Sequence, residues 1–379
     1  MSNTNKGLEG VVIGQTTISR VAGDAGELIY GGYHIEDLAG NVTFEEVCHL
    51  LWYGELPNAA QLHDLRGRLL EGMAVDDAVL DVVRLVAADS HPMAALRTAV
   101  SALSAVDPDA EDMSAEAADR KAIRLTAQAI TLTAAIERIR TGTDPIAPRA
   151  DLSLAANLLY MMHGREPDEL AERIIDASLT LHAEHGMNAS TFSARVTAST
   201  LADMHSAVTS AIGTLKGPLH GGANERVMQM LLTIDQPDNA AQWVRDALGR
   251  GEKIMGFGHR VYRTVDPRAP ILKQLAEQML DRGGDTRWLR ISDVIQTTMR
   301  EEMDRMGKKI YPNVDFFSAS VYYTLGIPMD LFTNLFACAR MAGWTAHVKE
   351  QLADNRLIRP KAEYVGPVDR TTSPIAQRP

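Results

Sequence analysis

Past residue 40 this 379-residue chain reads almost wholly with a helical period, which limits the fold to a mainly α architecture. TFEEVCHLLWYG (43–54) carries a Thr suited to an N-cap, early glutamates and a closing glycine. NAAQLHDLRGRLLEGM, AVLDVVRLVAAD and MAALRTAVSALSAV repeat the pattern. DPDAEDMSA (107–115) is an acidic loop, and a long alanine-rich helix is predicted over about 114–140, ending at Thr-Gly. SLAANLLYMMHG, a segment over about 167–185 and the stretch STFSARVTASTLADMHSAVTSAIGTLKG continue the series. Only the start differs. VVIGQTTISRV (11–21) and GELIYGGY (26–33) are rich in β-branched and aromatic residues around AGDA, which predicts a small N-terminal β-hairpin.

Glycine-rich turns gather between Pro218 and Pro328, whereas the flanking stretches are nearly pure helix. This predicts a smaller helical domain inserted into a larger one, with its loops at a cleft. The last dozen residues read as a tail. A net charge of -11 argues against wholesale nucleic-acid binding, so any anion site must be a local arginine and lysine cluster. No apolar run reaches bilayer length, and the polar MSNTNKGLEG start has no signal-peptide core. Cys48 and Cys338 stand far apart, as in a reducing compartment. The expectation is a cytoplasmic protein without nucleic-acid or membrane partners.

Four stretches concentrate chemistry. GPLHGGANERVMQML (217–231) sets His220 before a Gly-Gly pair and an amphipathic run, where a helix N-terminus disfavours imidazolium and leaves a neutral donor. Capping of that helix is the simpler use of the same residue. KKIYPNVDFFSASVYYTLGIP (308–328) sets Asp315 at a helix start, where the dipole is expected to hold it ionised, as a general base requires; Asp is equally a common N-cap. HAEHGMNASTFSARV (182–196) spaces His182 and His185 as metal ligands could be, but Glu184 is out of the HExxH frame and no third ligand is near. A hydrogen-bonding pair in a polar pocket fits better. GFGHRVYRTVDPR (256–268) joins His259 to Arg260, Arg263 and Arg268, and Arg suits a carboxylate through its two-pronged fork. It has no third glycine and no preceding strand, so it is not a dinucleotide fingerprint. Arg340 and Arg359 sit in polar or Pro-containing surroundings.

Taken together, GPLHGGANE, GFGHRVYRTVDPR and YPNVDFFSASV resemble, in order and spacing, the signature segments of the citrate synthase family. HAEHGMNASTFSAR and RLIRPKAEYVG resemble it as well, so the likeness spans essentially the whole chain. The resemblance implies condensation of acetyl-CoA with oxaloacetate and hydrolysis of the thioester. It implies a large helical domain (1–219 and 326–379) with a small one (220–325) closing over an interdomain cleft. By motif match, His220, His259 and Asp315 would be catalytic; His185, Arg268, Arg340 and Arg359 would bind oxaloacetate. Arg359 would reach the partner's site in a homodimer. Lys253, Gly256, Phe257, Gly258 and Arg263 would meet coenzyme A, with Lys308 and Lys309 as further phosphate contacts and Arg260 unassigned. The resemblance implies no metal and no permanently bound cofactor, the CoA thioester being a substrate. Without the amino-terminal extension of larger NADH-regulated members, an NADH site is not expected. 2-Methylcitrate synthases, which take propionyl-CoA, share the catalytic residues and are the alternative.

Overall fold

The computed structural model describes residues 6–8, 10–259, 261–280 and 286–378. Arg260 and residues 1–5 of the polar start lie outside the described residues. Three short antiparallel strands open the fold: β1 (Ser19–Ala22), β2 (Glu27–Tyr30) and β3 (Tyr33–His34), with Ser19 opposite Tyr30 and Ala22 opposite Glu27. Sixteen helices follow among the described residues. They are α1 (Ile35–Leu38), α2 (Phe44–Tyr53), α3 (Ala59–Gly72), α4 (Asp77–Val86), α5 (Pro92–Leu103), α6 (Ala115–Arg140), α7 (Leu154–His163) and α8 (Glu169–His182). Then come α9 (Ala189–Ser199), α10 (Met204–Leu215), α11 (Ala223–Ile234), α12 (Pro237–Gly249), α13 (Arg268–Leu280), α14 (Arg287–Arg305), α15 (Val314–Thr324) and α16 (Phe332–Ala353).

The mainly α class is what the helical periodicity predicts, and local signals mark many ends. Thr43 caps α2 in a reciprocal capping box with Glu46, and Gly54 closes it in the left-handed region. Ser114 caps α6 through Ala117 N, and the helix ends at Thr141. One expectation needs correction. The strand expected over 11–21 forms only from Ser19, because residues 11–16 find no partner strand among the described residues to satisfy their backbone. The stretch STFSARVTASTLADMHSAVTSAIGTLKG divides into α9 and α10. Leu201 adopts φ 66° and Asp203 restarts the chain as the cap of α10, accepting from Ser206 N at 2.9 Å.

α16 is buried from Phe332 to Val348 on every face, the mark of a central core helix. It packs on α2, α5, α6, α8, α9, α10 and α11. Further along, α12 packs on α14, and α11 and α13 pack on α15. From Arg359 to Arg378 the chain is exposed, with one short 3-10 turn at Ile375–Gln377.

Candidate active site

Arg268 opens α13 and is 3% exposed, directly after Pro267. Pro267 fixes the backbone so that Asp266 folds onto the residue two places on. Asp266 accepts from Arg268 N (3.1 Å), Nε (2.9 Å) and Nη2 (2.8 Å), and its second oxygen also accepts from Val314 N at 3.2 Å. One carboxylate thus ties the arginine to the first turn of the helix carrying Asp315. Burial opposes charge on Arg268, but Asp266 beside it raises the guanidinium above its usual range. Arg340 lies mid-α16 at 1% exposure. Its Nε donates to His182 O at 2.7 Å, its guanidinium sits 4.8 Å from the Phe336 ring centroid, and Nη1 has no hydrogen-bond partner among the described residues. Burial lowers it to about 10, which leaves it charged at neutral pH.

The structure brings the rings of His185, His259 and Tyr262 together. The two histidine centroids are 5.4 Å apart, and His185 Nε2 is 3.1 Å from Tyr262 Oη. His259 Nδ1 accepts from Val261 N (3.0 Å) and Tyr262 N (3.2 Å), which assigns the ring proton to Nε2. Burial, then the charge of Arg268, pushes His259 down to about 4 and His185 well below the usual histidine range. Both rings are neutral at pH 7.

His220 is half-buried in the turn before α11, whose N-cap is Gly222. Its ring faces a different helix from the one expected. Nε2 lies 2.8 Å from Ser190 Oγ and accepts from Ser190 N at 3.3 Å, so it meets the N-terminal turn of α9. A backbone N–H can only donate, so Nε2 is unprotonated and the proton sits on Nδ1. The expected neutral state therefore comes from α9, not from α11. Asn188 caps α9 through Ser190 N and Thr191 N, and Trp344 Nε1 donates to Ser190 Oγ at 3.2 Å, which fixes the serine.

Asp315 is the second residue of α15, and Asn313, not Asp315, is the N-cap, accepting from Asp315 N at 3.1 Å. The dipole does not hold its carboxyl low. Burial pushes it up to about 6, against the pull of Arg268. Desolvation outweighs the helix terminus, and a base near neutrality results.

His182 and His185 are not a helical pair, because α8 ends at His182. His182 Nδ1 donates to Ser178 O at 2.8 Å, and its ring packs edge-on to Phe336 at 4.7 Å. Among the described residues no group of three His, Cys, Asp or Glu side chains could hold a metal ion.

A cavity of about 640 Å³ adjoins His259, lined by Lys253, Phe257, Gly258, Arg263, Lys308 and Lys309, with Met299, Met303 and Met306 on its apolar side. Gly256 turns the other way: at φ 79°, a Cβ there would stand 2.8 Å from Phe316 and 2.9 Å from Val227. Arg359 is exposed, next to Ile358, whose N–H donates to Ser199 Oγ at 3.0 Å. A slightly larger cavity of about 680 Å³, lined by His163, Arg165 and Tyr323, gathers none of the residues predicted from sequence.

Asp266, Tyr262, Ser190 and Glu184 escaped the reading of the sequence as site residues. Asp266 had a signal, the Asp-Pro-Arg order itself; the other three act through long-range contacts. Glu184, fully buried, accepts from Ser19 Oγ (3.0 Å) and lies 3.1 Å from His347 Nε2. Burial disfavours its charge, but His347 beside it holds the carboxyl below its usual range.

Two buried guanidiniums, the neutral His259 and His185 and the raised carboxyl of Asp315 thus lie within electrostatic reach of one another in a mainly helical fold. The family model described as "Citrate synthase, C-terminal domain" matches residues 7–361. The citrate synthase of Haloferax volcanii is 50% identical over 378 residues, covering 98% of each chain. 2-Methylcitrate synthase 1 of Corynebacterium glutamicum is 43% identical, over 100% of this chain and 99% of that one. The Thermoplasma acidophilum citrate synthase, solved as a ternary complex with carboxymethyl coenzyme A and oxaloacetate, superposes with a TM-score of 0.93 at 34% identity, covering 100% of both chains. The chain belongs to the citrate synthase family.

Proposed function

We propose that the protein condenses acetyl-CoA with oxaloacetate and hydrolyses the resulting thioester to citrate and CoA. The observation that carries this reading is the opposition of charge states. Asp315 is raised to about 6 and so is mostly ionised at pH 7, while His220 is neutral with its proton on Nδ1. Asp315 removes a proton from the acetyl methyl group as His220 Nδ1–H donates to the thioester oxygen. The enolised carbon attacks the oxaloacetate ketone, which His259 Nε2–H polarises and whose new alkoxide it protonates. Arg268, Arg340 and His185 hold the oxaloacetate carboxylates. Water then cleaves the thioester, releasing the CoA thiol and citrate.

Lys253, Arg263, Lys308 and Lys309 meet the phosphates of CoA, with Phe257 and Gly258 toward its adenine. Gly256 supports this loop from behind. Residues 220–325 form the small domain that closes on 1–219 and 326–379. The working unit is a cytoplasmic homodimer in which the partner subunit's Arg359 completes each site, and the reaction feeds the tricarboxylic acid cycle. No permanent cofactor takes part.

A second reading, 2-methylcitrate synthesis from propionyl-CoA, is favoured by the 43% identity to such an enzyme. One methylene is discriminated by only about 1–3 kcal/mol. Steady-state assays with oxaloacetate and each acyl-CoA decide between them. The primary reading expects a higher kcat/KM for acetyl-CoA; a preference for propionyl-CoA reverses the choice, and activity with neither ends both.

A further inference from the structure

The strands at the start of the chain stand behind both histidines that face oxaloacetate in the proposed reaction. On one side, Tyr30 Oη donates to Glu184 O at 2.7 Å and accepts from Glu184 N at 3.2 Å, bracketing the backbone just before His185. Ser19 Oγ donates to Glu184 Oε1 at 3.0 Å and accepts from Gly186 N at 3.2 Å, just after it. Ser19 and Tyr30 are cross-strand partners, so one rung of the sheet grips the His185 turn on both flanks.

The other end of the same hairpin meets the His259 loop. Arg263 N donates to Gly23 O at 3.0 Å, in the turn between β1 and β2. A Cβ on Gly23 would stand 2.7 Å from Val261 C and would collide with Val261 O. A Cβ on Gly26 would stand 2.6 Å from Thr264 Cγ2 and 3.1 Å from Val265 O. Both glycines permit contact between the turn and residues 261–265, the segment whose Val261 and Tyr262 amides fix the His259 ring. The approach at Gly23 is against backbone, which cannot swing aside as a side chain could.

We propose that the N-terminal hairpin is a positioning element for both histidines, with Gly23 the residue that lets it dock on the loop behind His259. The hairpin spans the cleft from the His185 turn to the loop of the proposed small domain, and so sets the spacing of the two rings. A displacement of about 1 Å in such a pair suffices for a large loss of substrate affinity or rate. The inference rests on the proposed oxaloacetate site.

Gly23→Ala tests it, because Gly23 does not have a positive φ and alanine there adds a methyl group without backbone strain. The expected result is a rise of about ten-fold or more in both the oxaloacetate KM and its Kd by calorimetry, with a smaller fall in kcat and a lowered but still cooperative melting transition. Gly14→Ala makes the same chemical change in open space and leaves these values unaltered. A folded Gly23→Ala protein whose oxaloacetate Kd and KM stay within about two-fold of wild type overturns the inference. Should that variant not fold, Ser19→Ala carries the test from the other flank, with the same rise expected and an unchanged Kd again decisive against it. The Kd separates this inference from the proposed reaction. A wild type that binds oxaloacetate but does not condense it defeats the reaction alone, whereas one that does not bind oxaloacetate defeats both.

Discussion

His220 Nε2 lies 2.8 Å from Ser190 Oγ and accepts from Ser190 N, so a helix thirty residues upstream sets the tautomer of this imidazole. The serine is itself anchored by Asn188 and Trp344. Ser190→Ala keeps the backbone donor but loses the hydroxyl and releases the indole. The expected outcome is a fall in kcat of about ten-fold, with the oxaloacetate KM little changed, measured by steady-state kinetics. Ser190→Thr retains the hydroxyl and should recover part of the loss.

The raised carboxyl of Asp315 predicts how activity depends on pH. The base works ionised, so kcat/KM falls as pH drops through about 6, toward a unit slope. Neither His259, at about 4, nor His185, lower than the usual histidine range, contributes a limb near neutrality. A rate profile from pH 5 to 9 checks this.

The same shift has a stability consequence. The folded pKa of about 6 exceeds the ordinary aspartate value of 3.8, so folding favours the protonated carboxyl. That contribution is complete below 3.8 and is lost as pH rises through about 6. At pH 7 the ionised group therefore costs stability, and Asp315→Asn should stabilise the fold by about 1–3 kcal/mol, after discount for its partial exposure. Thermal unfolding at pH 7 should show a higher melting temperature for the variant, with the gain vanishing below pH 4, roughly, where both states are protonated.

Asp266→Ala leaves Arg268 buried without its partner. Removing one member of a buried ion pair costs about 3–5 kcal/mol, so denaturant unfolding should show a loss of that order. Oxaloacetate affinity should fall as well, because the guanidinium loses both the fork that orients it and the link to Val314 N.

Much of this was legible in the chain, and what was not has a common physical origin. The Thr43 and Glu46 capping box, the Ser114 start of α6 and the Asp-Pro-Arg turn are local, decided by residues a few positions apart. The grip of Tyr30 on Glu184 joins positions 154 apart, and the bond from Ser190 to His220 crosses 30. Neither leaves a period or a spacing to read. Asp315 illustrates a different limit. Its place near a helix start was legible, but the sign of its shift depends on desolvation by neighbours from other segments. Strand formation over 11–16 failed for a similar reason, since β-branched composition does not supply a partner strand.

If the partner subunit's Arg359 completes each site, Arg359→Leu and Asp315→Asn should each be nearly inactive alone. Refolded together in equal amounts, they should recover about one quarter of wild-type activity, since half of the dimers would be mixed and each would hold one intact site. Absence of any recovery in verified mixed dimers would place Arg359 outside the partner's site.

The most direct measurement is the reaction of Asp315→Asn itself, followed with acetyl-CoA and oxaloacetate alongside the oxaloacetate Kd. Removal of the base predicts a loss in kcat of about 10²–10⁴-fold with the Kd within a few-fold of wild type. Turnover near the wild-type rate in that variant would contradict the assignment of Asp315 as the group that takes the proton.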